Sequence, residues 1–215
     1  MSNAAAKILN KNINDLKIIS CHLGNGSSIT AIKNGKAIDT SMGLTPLGGI
    51  MMGTRSGSMD PSVIIKMAEE KSLSLEEIGN ILNKESGLKG VSGVGSDDRD
   101  ILRAENNGNK RAKLAHEMMI YKITKYIGGY IAILGGCDAI IFTGGIGEHQ
   151  WMHREKICKH FKFMGLELDD EKNKNAKLGK EEIISKNDSK IKVFVIPTNE
   201  ELAIARLTLE LISNK

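Results

Sequence analysis

The amino-acid sequence predicts an α/β fold, and two kinds of pattern support this prediction. Two short segments, 139–142 and 193–196, are apolar throughout, which is the pattern of strands buried on both faces of a sheet. Each segment is followed by polar or glycine-rich residues and then by a helix signal, so the order is strand, loop, helix. Upstream, residues 17–40 alternate between apolar and polar positions, which is typical of antiparallel strands. The chain is therefore predicted to combine helices with a sheet.

The first third of the chain is predicted to contain a helix end, three strands and a long loop. Residues 4–10 have the composition of a helix end. Strands are expected at 17–23, 29–33 and 37–40. Each of the two Asn-Gly pairs between them is a strong signal for a tight hairpin turn. The loop that follows, 41–61, is rich in glycine and methionine, and a loop of this length inside a domain is typically functional.

Helices account for most of the remaining chain. Asp60-Pro61 opens one helix and the capping box at 74–77 opens the next, whereas 86–100 is predicted to be a loop of small residues. The longest helix is expected at 109–134, with further helices from about residue 149 and after residue 199. Its apolar seam recurs every three or four residues. The seam consists of Ala112, Ala115, Met119, Ile123, Tyr126, Tyr130 and Ile133. The sequence contains no internal repeat and no linker, so 1–215 is read as one domain.

Composition excludes several classes of function. With 40% hydrophobic and 26% charged residues, the chain is typical of globular proteins. The net charge of +4 is small and no basic run is dense, so no nucleic-acid partner is predicted. No apolar stretch reaches membrane-spanning length and the N-terminus lacks the apolar core of a signal peptide. Three distant cysteines indicate reduced thiols, and a cytoplasmic location is therefore predicted.

Two glycine-rich segments are candidate anion sites. Thr143–Glu148 follows a buried strand and precedes a helix, where backbone N–H groups favour an anion; tight packing of strand on helix is an equally good explanation. The turn Gly24–Ser28 carries an extra glycine and two serines, which would allow an anion to approach the backbone closely. The residues of this turn alone favour a wide turn in a sheet. Neither segment is a GxGxxG or a Walker motif.

Four polar side chains are candidates for chemistry. Arg55 is flanked by small and apolar residues, so it would bind a phosphate or carboxylate unless it forms a surface salt bridge. Arg99 has Asp97, Asp98 and Asp100 as possible partners. His22 ends a strand beside the glycine turn, where a structural histidine is the commoner case. Glu200 would bind a metal ion, although an acid in the first turn of a helix is expected anyway.

Four segments resemble, in order, the acetate kinases, and the resemblance runs from about residue 4 to about residue 206. These segments are CHLGNGSSITAIKNGKAIDTSMGLTPLGGIMMGTRSGSMDP, GVSGVGSDDRDI, DAIIFTGGIGE and VIPTNEELAIAR. The resemblance implies the sugar-kinase/Hsp70/actin type of fold, which has two lobes, each built around a ribonuclease-H-like mixed sheet with packed helices. It implies reversible, magnesium-dependent transfer of phosphoryl between ATP and acetate, giving acetyl phosphate and ADP.

The resemblance also implies roles for individual residues. Arg55 would stabilise the transferring phosphoryl group together with His22, and Glu200 would lie near the magnesium ion. Pro46 and Leu47 would line the pocket for the acetate methyl group. The residues expected to bind the nucleotide are His22, Asn25, Gly26, Asp97, Asp98, Arg99, Gly145, Gly147 and His149. The family usually has Asn where His149 stands, beside the adenine.

The resemblance covers only the C-terminal, nucleotide-binding lobe of an acetate kinase. Residues 1–215 are therefore expected to form that lobe, without the N-terminal lobe that supplies a substrate-binding arginine and an aspartate proposed as base. The isolated chain is expected to be inactive and to form a homodimer through the 109–134 helix. Two alternatives remain open: a fragment of a propionate or butyrate kinase, and a non-catalytic module for nucleotide binding or dimerisation.

Overall fold

A computed structural model describes residues 1–213, except for the side chains of residues 200, 202, 203, 206 and 207. One sheet lies at its centre, with the strand order β3-β2-β1-β4-β6-β5. The strands are β1 (Lys17–Leu23), β2 (Ser27–Lys33), β3 (Lys36–Thr40), β4 (Ala139–Thr143), β5 (Glu182–Ile183) and β6 (Lys192–Val195). Strands β1 to β3 form an antiparallel meander, whereas β4 pairs in parallel with both β1 and β6. This mixed sheet confirms the predicted meander and both predicted buried strands.

Ten α-helices are present in the described part of the chain. They are α1 (Ser2–Leu9), α2 (Ser62–Lys71), α3 (Leu75–Asn80), α4 (Gly87–Ser92), α5 (Asp98–Asn106), α6 (Lys110–Leu134), α7 (Gly144–His149), α8 (Trp151–Lys159), α9 (Asp170–Lys174) and α10 (Glu200–Ser213). The predicted capping box is present at the start of α3, where Ser74 and Glu77 bond reciprocally. The longest helix has the predicted limits, with Asn109 as its N-cap.

Each face of the sheet has its own core. The odd-numbered residues of β1 and the even-numbered residues of β4, such as Cys21 and Phe142, pack with α6 and α8. The opposite face, which includes Ile18 and Ile141, packs with α1. This alternation follows from the two-residue period of a strand. Because both faces are covered, every residue of β4 is buried.

The two Asn-Gly pairs form different turns. Asn34 and Gly35 have φ values of 54° and 72°, the two positive values that a two-residue type I′ hairpin requires. The connection between β1 and β2 contains three residues, and none of them has a positive φ. Instead, the Ser27 hydroxyl accepts from Gly24 N at 3.0 Å and donates to Gly24 O at 2.9 Å. Residues 24–26 therefore form the wider turn that the residues of this segment favour, and not a two-residue Asn-Gly turn.

The predicted loop 86–100 is wrong in part, because α4 occupies Gly87–Ser92 and α5 begins at Asp98. Helix α4 contains two glycines and is stabilised by contacts from elsewhere in the chain. The Arg111 guanidinium on α6 donates to the carbonyls of Gly90 and Val91 at 2.8 Å, and Leu88 N donates to Met52 O at the same distance. Because these contacts come from distant residues, no local sequence pattern could predict the helix.

Three further helix predictions need correction. Helix α2 begins at Ser62, one residue later than Pro61, and the Asp60 carboxylate accepts from Ser62 N at 2.9 Å. The helix predicted from about residue 149 is preceded by α7, which begins directly after β4 at Gly144. In the seam of α6, Ile133 is 56% exposed, because it lies on the side of the helix away from the core.

Buried Arg154 fixes the end of α7. Its guanidinium donates to the carbonyls of Gly147 and Glu148, each at 2.8 Å, and to the Asn173 side chain and carbonyl on α9. Burial lowers the pKa of Arg154 to about 10, so the side chain remains protonated at neutral pH. The three helices α7, α8 and α9 are therefore connected through one charged group.

We predict that Gly144→Ala destabilises the fold by about 1–3 kcal/mol, because L-residues rarely adopt its backbone conformation and a β-carbon would meet backbone. Gly144 has φ of 77°, and an added β-carbon would lie 2.7 Å from Leu23 O. Urea denaturation followed by circular dichroism measures the change.

The neighbouring variant Gly145→Ala is the matched control. An added β-carbon there has no neighbour within 4 Å and φ is not positive. Its free energy of unfolding should equal that of the wild type or exceed it by up to about 1 kcal/mol. Equal midpoints for the two variants would contradict the assigned strain at Gly144.

Candidate functional site

The carboxyl ends of β1, β4 and β6 meet at one edge of the sheet, because these strands are parallel neighbours. In open α/β sheets this edge is the usual position of a ligand site. A cleft of about 430 Å³ lies there. It is bounded by the β1–β2 turn, the start of α5 and helix α7. Its lining residues are Gly24, Asn25, Ser96, Asp97, Asp98, Arg99, Gly145, Ile146, His149 and Gln150.

The β1–β2 turn is joined to the long loop 41–61 through one contact. Gly53 N donates to Asn25 O at 3.1 Å. A β-carbon at Gly53 would collide with Asn25 Oδ1, so a larger residue there would displace the Asn25 amide from its present position. The loop is also bound to α4, because Lys89 N donates to Gly53 O at 2.9 Å. Asn25 is therefore held between the cleft and the loop.

Arg55 lies in this loop, next to the turn. Its Nη1 is 3.5 Å from Pro46 O and 3.7 Å from Met52 Sδ, and a β-carbon at Gly26 would lie 3.3 Å from it. Within the described part of the chain, no carboxylate forms a salt bridge with Arg55. The alternative that Arg55 serves a surface ion pair is therefore unsupported, and its guanidinium is positioned to bind an anion.

The predicted acyl pocket is open on this side. Pro46 is exposed and Leu47 is half-buried. The Pro46 carbonyl oxygen is 3.5 Å from Arg55 Nη1, so the backbone of the predicted pocket lies beside the cationic group. The two predicted pocket residues thus lie in the same loop region as the predicted phosphoryl-binding arginine.

Arg99 is paired, and its partner is Asp97. Arg99 Nε and Nη2 donate to the two Asp97 carboxylate oxygens at 3.0 and 2.6 Å. Asp97 is also the N-cap of α5, where it accepts from Arg99 N. These hydrogen bonds lower the pKa of Asp97 to about 2. The pair forms an exposed, charged edge of the cleft.

Asp98 lines the cleft from below and is buried. Burial alone would raise the pKa of Asp98, but contacts with His116 and His153 outweigh it and hold that pKa well below the usual range. Its Oδ1 lies 2.9 Å from His153 Nε2 and 3.2 Å from His116 Nε2. Asp98 therefore carries a negative charge directly beneath the exposed pair.

Helix α7 forms the opposite wall. An added β-carbon at Gly145 would meet nothing within 4 Å, so open space adjoins this residue. The His149 Nδ1 lies 2.7 Å from Gly145 O, which makes Nδ1 the donor and leaves Nε2 free for another partner. The N–H of Gly144 is not bare as predicted, since it donates to Glu148 Oε1 at 3.0 Å.

The predicted nucleotide-binding residues do not all lie in the cleft. Gly147 is buried, and an added β-carbon would lie 3.4 Å from Phe142 C, so its position serves packing of α7 on β4. His22 is half-buried and pairs with Thr143 in the β1–β4 register, outside the lining. Gly26 faces Arg55 instead. The side chain of Glu200, the predicted metal ligand, lies outside the described part, although α10 begins at this residue.

Sequence reasoning missed several residues of the site. Ser96, Ile146 and Gln150 line the cleft, and Ile146 is three residues before His149 on α7, a helical spacing that was an available signal. Glu148 was also missed. Its Oε1 accepts from Thr198 N at 3.3 Å as well as from Gly144 N, so it connects the ends of β4 and β6. A contact between loops so far apart in sequence leaves no local signal.

The arrangement has a definite chemical character. The cleft offers a charged pair, an imidazole and open backbone near Gly145, while an unpaired guanidinium lies beyond the turn at Asn25. A ligand with a polar body and an anionic end fits this distribution of groups.

Comparisons with known proteins agree with this description. The model of the acetokinase family matches residues 1–206. The acetate kinase of Clostridium novyi (strain NT) is 54% identical over 212 residues, which is 99% of this chain and 52% of that protein. The crystal structure of Porphyromonas gingivalis acetate kinase superimposes with a TM-score of 0.94 at 49% identity, over 98% of this chain and 53% of that one.

A second solved structure is also similar. A propionate kinase from Francisella tularensis subsp. tularensis SCHU S4 superimposes with a TM-score of 0.86 at 43% identity, over 95% of this chain and 51% of that one. The chain thus spans about half the length of the relatives that it matches. The similarity confirms the predicted fold class to the extent of an acetate kinase-like α/β fold, in which helices pack on a mixed sheet.

Proposed function

The chain belongs to the acetokinase family, and on that premise we propose that it is the C-terminal, nucleotide-binding lobe of an ATP:acetate phosphotransferase. The observation that supports this function best is the unpaired Arg55 guanidinium beside the β1–β2 turn, at one end of the cleft. An arginine without a carboxylate partner next to a turn of small residues is suited to an anion such as a phosphoryl group.

The nucleotide lies across the cleft in this proposal. Its adenosine contacts Asp97, Arg99 and His149, which line the wide part. Its phosphates run past Gly145 towards Asn25 and Gly26, where the turn is free of large side chains. Helix α7 contributes the open backbone at Gly145. Direct contacts to Gly147 and His22 are not part of the proposal, because neither residue lines the cleft.

Arg55 acts on the transferring group. A carboxylate oxygen of acetate attacks the γ-phosphorus of ATP, the bond from that phosphorus to the bridging oxygen breaks, and acetyl phosphate and ADP result. Phosphoryl transfer of this kind depends mainly on positioning and on stabilisation of charge. The contacts of Arg55 with the Pro46 carbonyl and Met52 hold the guanidinium near the turn before any ligand binds.

Magnesium requires few protein ligands in such a site. Mg²⁺ is typically bound by nucleotide phosphates, water and one or two carboxylates. Glu148 is occupied by two backbone N–H groups, so we assign the carboxylate role to Glu200, at the start of α10. When bound, the ion neutralises charge on the phosphates.

The proposed phosphoryl acceptor is acetate. The higher identity and TM-score of the acetate kinase structure favour acetate over propionate. Pro46 and Leu47 are proposed to contact the methyl group. A propionate kinase remains the second candidate, because a structure of one superimposes over nearly the whole chain.

A dimer is proposed through the outer face of α6. Ile120, Ile127 and Ile131 of α6 pack in the chain's own core. The helix nevertheless exposes a stripe at spacings of three and four residues: Leu114, Met118, Tyr121, Lys125, Gly128 and Ala132. Open space above Gly128 and Gly129 would allow another helix to approach closely.

A cytoplasmic location is proposed from the cysteines. All three are free thiols, and burial raises the pKa of Cys137 and of Cys158 to about 12, so they are unreactive. No helix in the described part is long and apolar enough to span a membrane.

We predict that the chain binds ADP with an affinity of about 10 µM to 1 mM, within the ordinary range for small ligands. Gly145→Val should remove the binding heat in calorimetry, because the added side chain would fill the open space beside the phosphates. Lys174→Ala, on α9, should bind like the wild type. Absence of binding at millimolar ADP would refute the nucleotide site, and equal affinities in both variants would refute the role of Gly145.

We expect the 215-residue chain alone to form acetyl phosphate at least 10³-fold more slowly than the Clostridium novyi enzyme, because charges that act on the transition state come from the other half of the relatives. A hydroxamate assay measures this rate.

A fusion protein is the control for folding. It joins this chain to the half of the Clostridium novyi enzyme that the chain does not match, and its activity should return. A rate within tenfold of the full-length enzyme for the chain alone would show that the second half is dispensable. An active wild-type fusion whose Arg55→Ala variant retained full activity would remove Arg55 from the mechanism.

Sedimentation equilibrium at micromolar concentration should give about twice the 23.4 kDa mass of the chain. Tyr121→Lys should weaken the dimer at least about tenfold, as is typical for a buried aromatic contact. Leu178→Lys, at an exposed leucine outside α6, is the matched control and should remain dimeric. A single 23.4 kDa species for the wild type would exclude the dimer.

A further inference from the structure

A cluster of buried titratable groups lies beneath the cleft and has no part in phosphoryl transfer. Asp98 on α5, His116 on α6 and His153 on α8 each offer one atom, and these atoms lie within 4.8 Å of one another. Their side chains are 5%, 0% and 2% exposed. The two imidazole rings meet edge to face with centroids 4.7 Å apart. Three helices therefore converge on one polar point inside an otherwise apolar core.

The cluster contains most of the unsatisfied polar atoms in the described part of the chain. Five buried side-chain atoms there lack a hydrogen-bond partner, and three of them are Asp98 Oδ2, His116 Nε2 and His153 Nδ1. Buried polar atoms normally have partners, and an unpaired one costs free energy. Of these three atoms, His116 Nε2 faces Asp98 Oδ1, and His153 Nε2 lies 2.9 Å from the same oxygen, so two imidazole nitrogens converge on one carboxylate oxygen.

The orientation of His116 limits how these atoms can be satisfied. His116 Nδ1 lies 2.5 Å from Glu105 Oε2, so Nδ1 carries the proton that this carboxylate accepts. Its Nε2 then points towards Asp98 Oδ1 at 3.2 Å without an aligned hydrogen bond. This close approach of a nitrogen to a carboxylate oxygen requires either a second proton on His116, whose pKa burial would lower but the two carboxylates raise, or a cation between the two atoms. A histidine whose second nitrogen donates to a carboxylate is typical of metal ligands.

We propose that Asp98, His116 and His153 bind one divalent transition-metal ion of the Zn²⁺ class. Two imidazole nitrogens and one carboxylate oxygen select Zn²⁺ or Co²⁺ over Mg²⁺ and Ca²⁺, which prefer oxygen ligands. Asp98 also lines the cleft, so a water molecule from the cleft would supply the fourth ligand. Glu105 orients His116 and is itself 3.7 Å from Lys156 Nζ.

The ion would connect both walls of the cleft. Asp98 lies between Asp97 and Arg99 at the start of α5, and His153 lies one helical turn after His149 and Gln150. A metal bond between α5 and α8 therefore fixes the distance between the groups that line the cleft, while His116 ties both to the central helix. The role is structural and independent of nucleotide.

The test measures metal directly on the 215-residue chain. After incubation with Zn²⁺ and desalting, plasma emission spectrometry should find about one zinc per chain, and EDTA should remove it. Zinc at about 100-fold above its dissociation constant should raise the unfolding temperature by roughly 5–10 °C. Co²⁺ should give the visible absorption of a four-coordinate site. Wild-type protein with less than about a tenth of a zinc per chain and an unchanged unfolding temperature would overturn the proposal.

Matched variants locate the ion. His116→Gln and His153→Gln should lose the zinc and the thermal shift, whereas His160→Gln should keep both, because His160 is exposed and close to His153 in sequence. Zinc retained by both cluster variants would place the ion elsewhere and reject the site. If a variant fails to fold, the wild-type zinc content and Co²⁺ spectrum still decide the question.

Discussion

The parallel pairing of β1 with β4 is the constraint on which the rest of the structure depends. Five residue pairs, from Ile18↔Ala139 to His22↔Thr143, join two strands that are far apart in sequence. Because β4 is buried on both faces, a shift by one residue would move its whole side-chain pattern into the wrong core. The pairing places the ends of both strands at one edge. It also brings Gly144 so close to the Leu23 carbonyl that a side chain would not fit.

From that edge, the site is assembled by hydrogen bonds between loops. Gly53 binds the backbone of Asn25, Leu88 N binds Met52 O, and Arg111 on α6 binds the carbonyls of α4. The long loop 41–61 is thus held at both sides although it contains no helix or strand. This explains why apolar residues such as Met52 are buried in a loop that is rich in glycine. The position of Arg55 is therefore determined by the core and not by the loop alone.

What the sequence could predict was determined by how local each signal is. The meander, β4, β6 and the limits of α6 follow from periodicity and caps, which involve neighbouring residues. Helix α4 was missed because Arg111, twenty residues away, stabilises it. The Asn-Gly signal at residues 25–26 does not give a two-residue turn, because a serine hydroxyl holds the wider turn without positive φ values. In the candidate site, the motif resemblance identified residues that line the cleft. It also selected Gly147, which does not line the cleft but packs α7 against β4.

The two arginines near the cleft show why geometry had to decide their roles. Arg99 is bound by two hydrogen bonds to Asp97, and both side chains are exposed, so the charge of the pair is largely compensated. The Arg55 guanidinium donates only to a carbonyl, at 3.5 Å, and a thioether, at 3.7 Å, among the described residues, so its charge is uncompensated beside the turn. An electrostatic effect on a transition state is strongest when a charge is positioned in advance and not neutralised. The paired arginine is therefore suited to shape a binding surface, and the unpaired one to act on an anion.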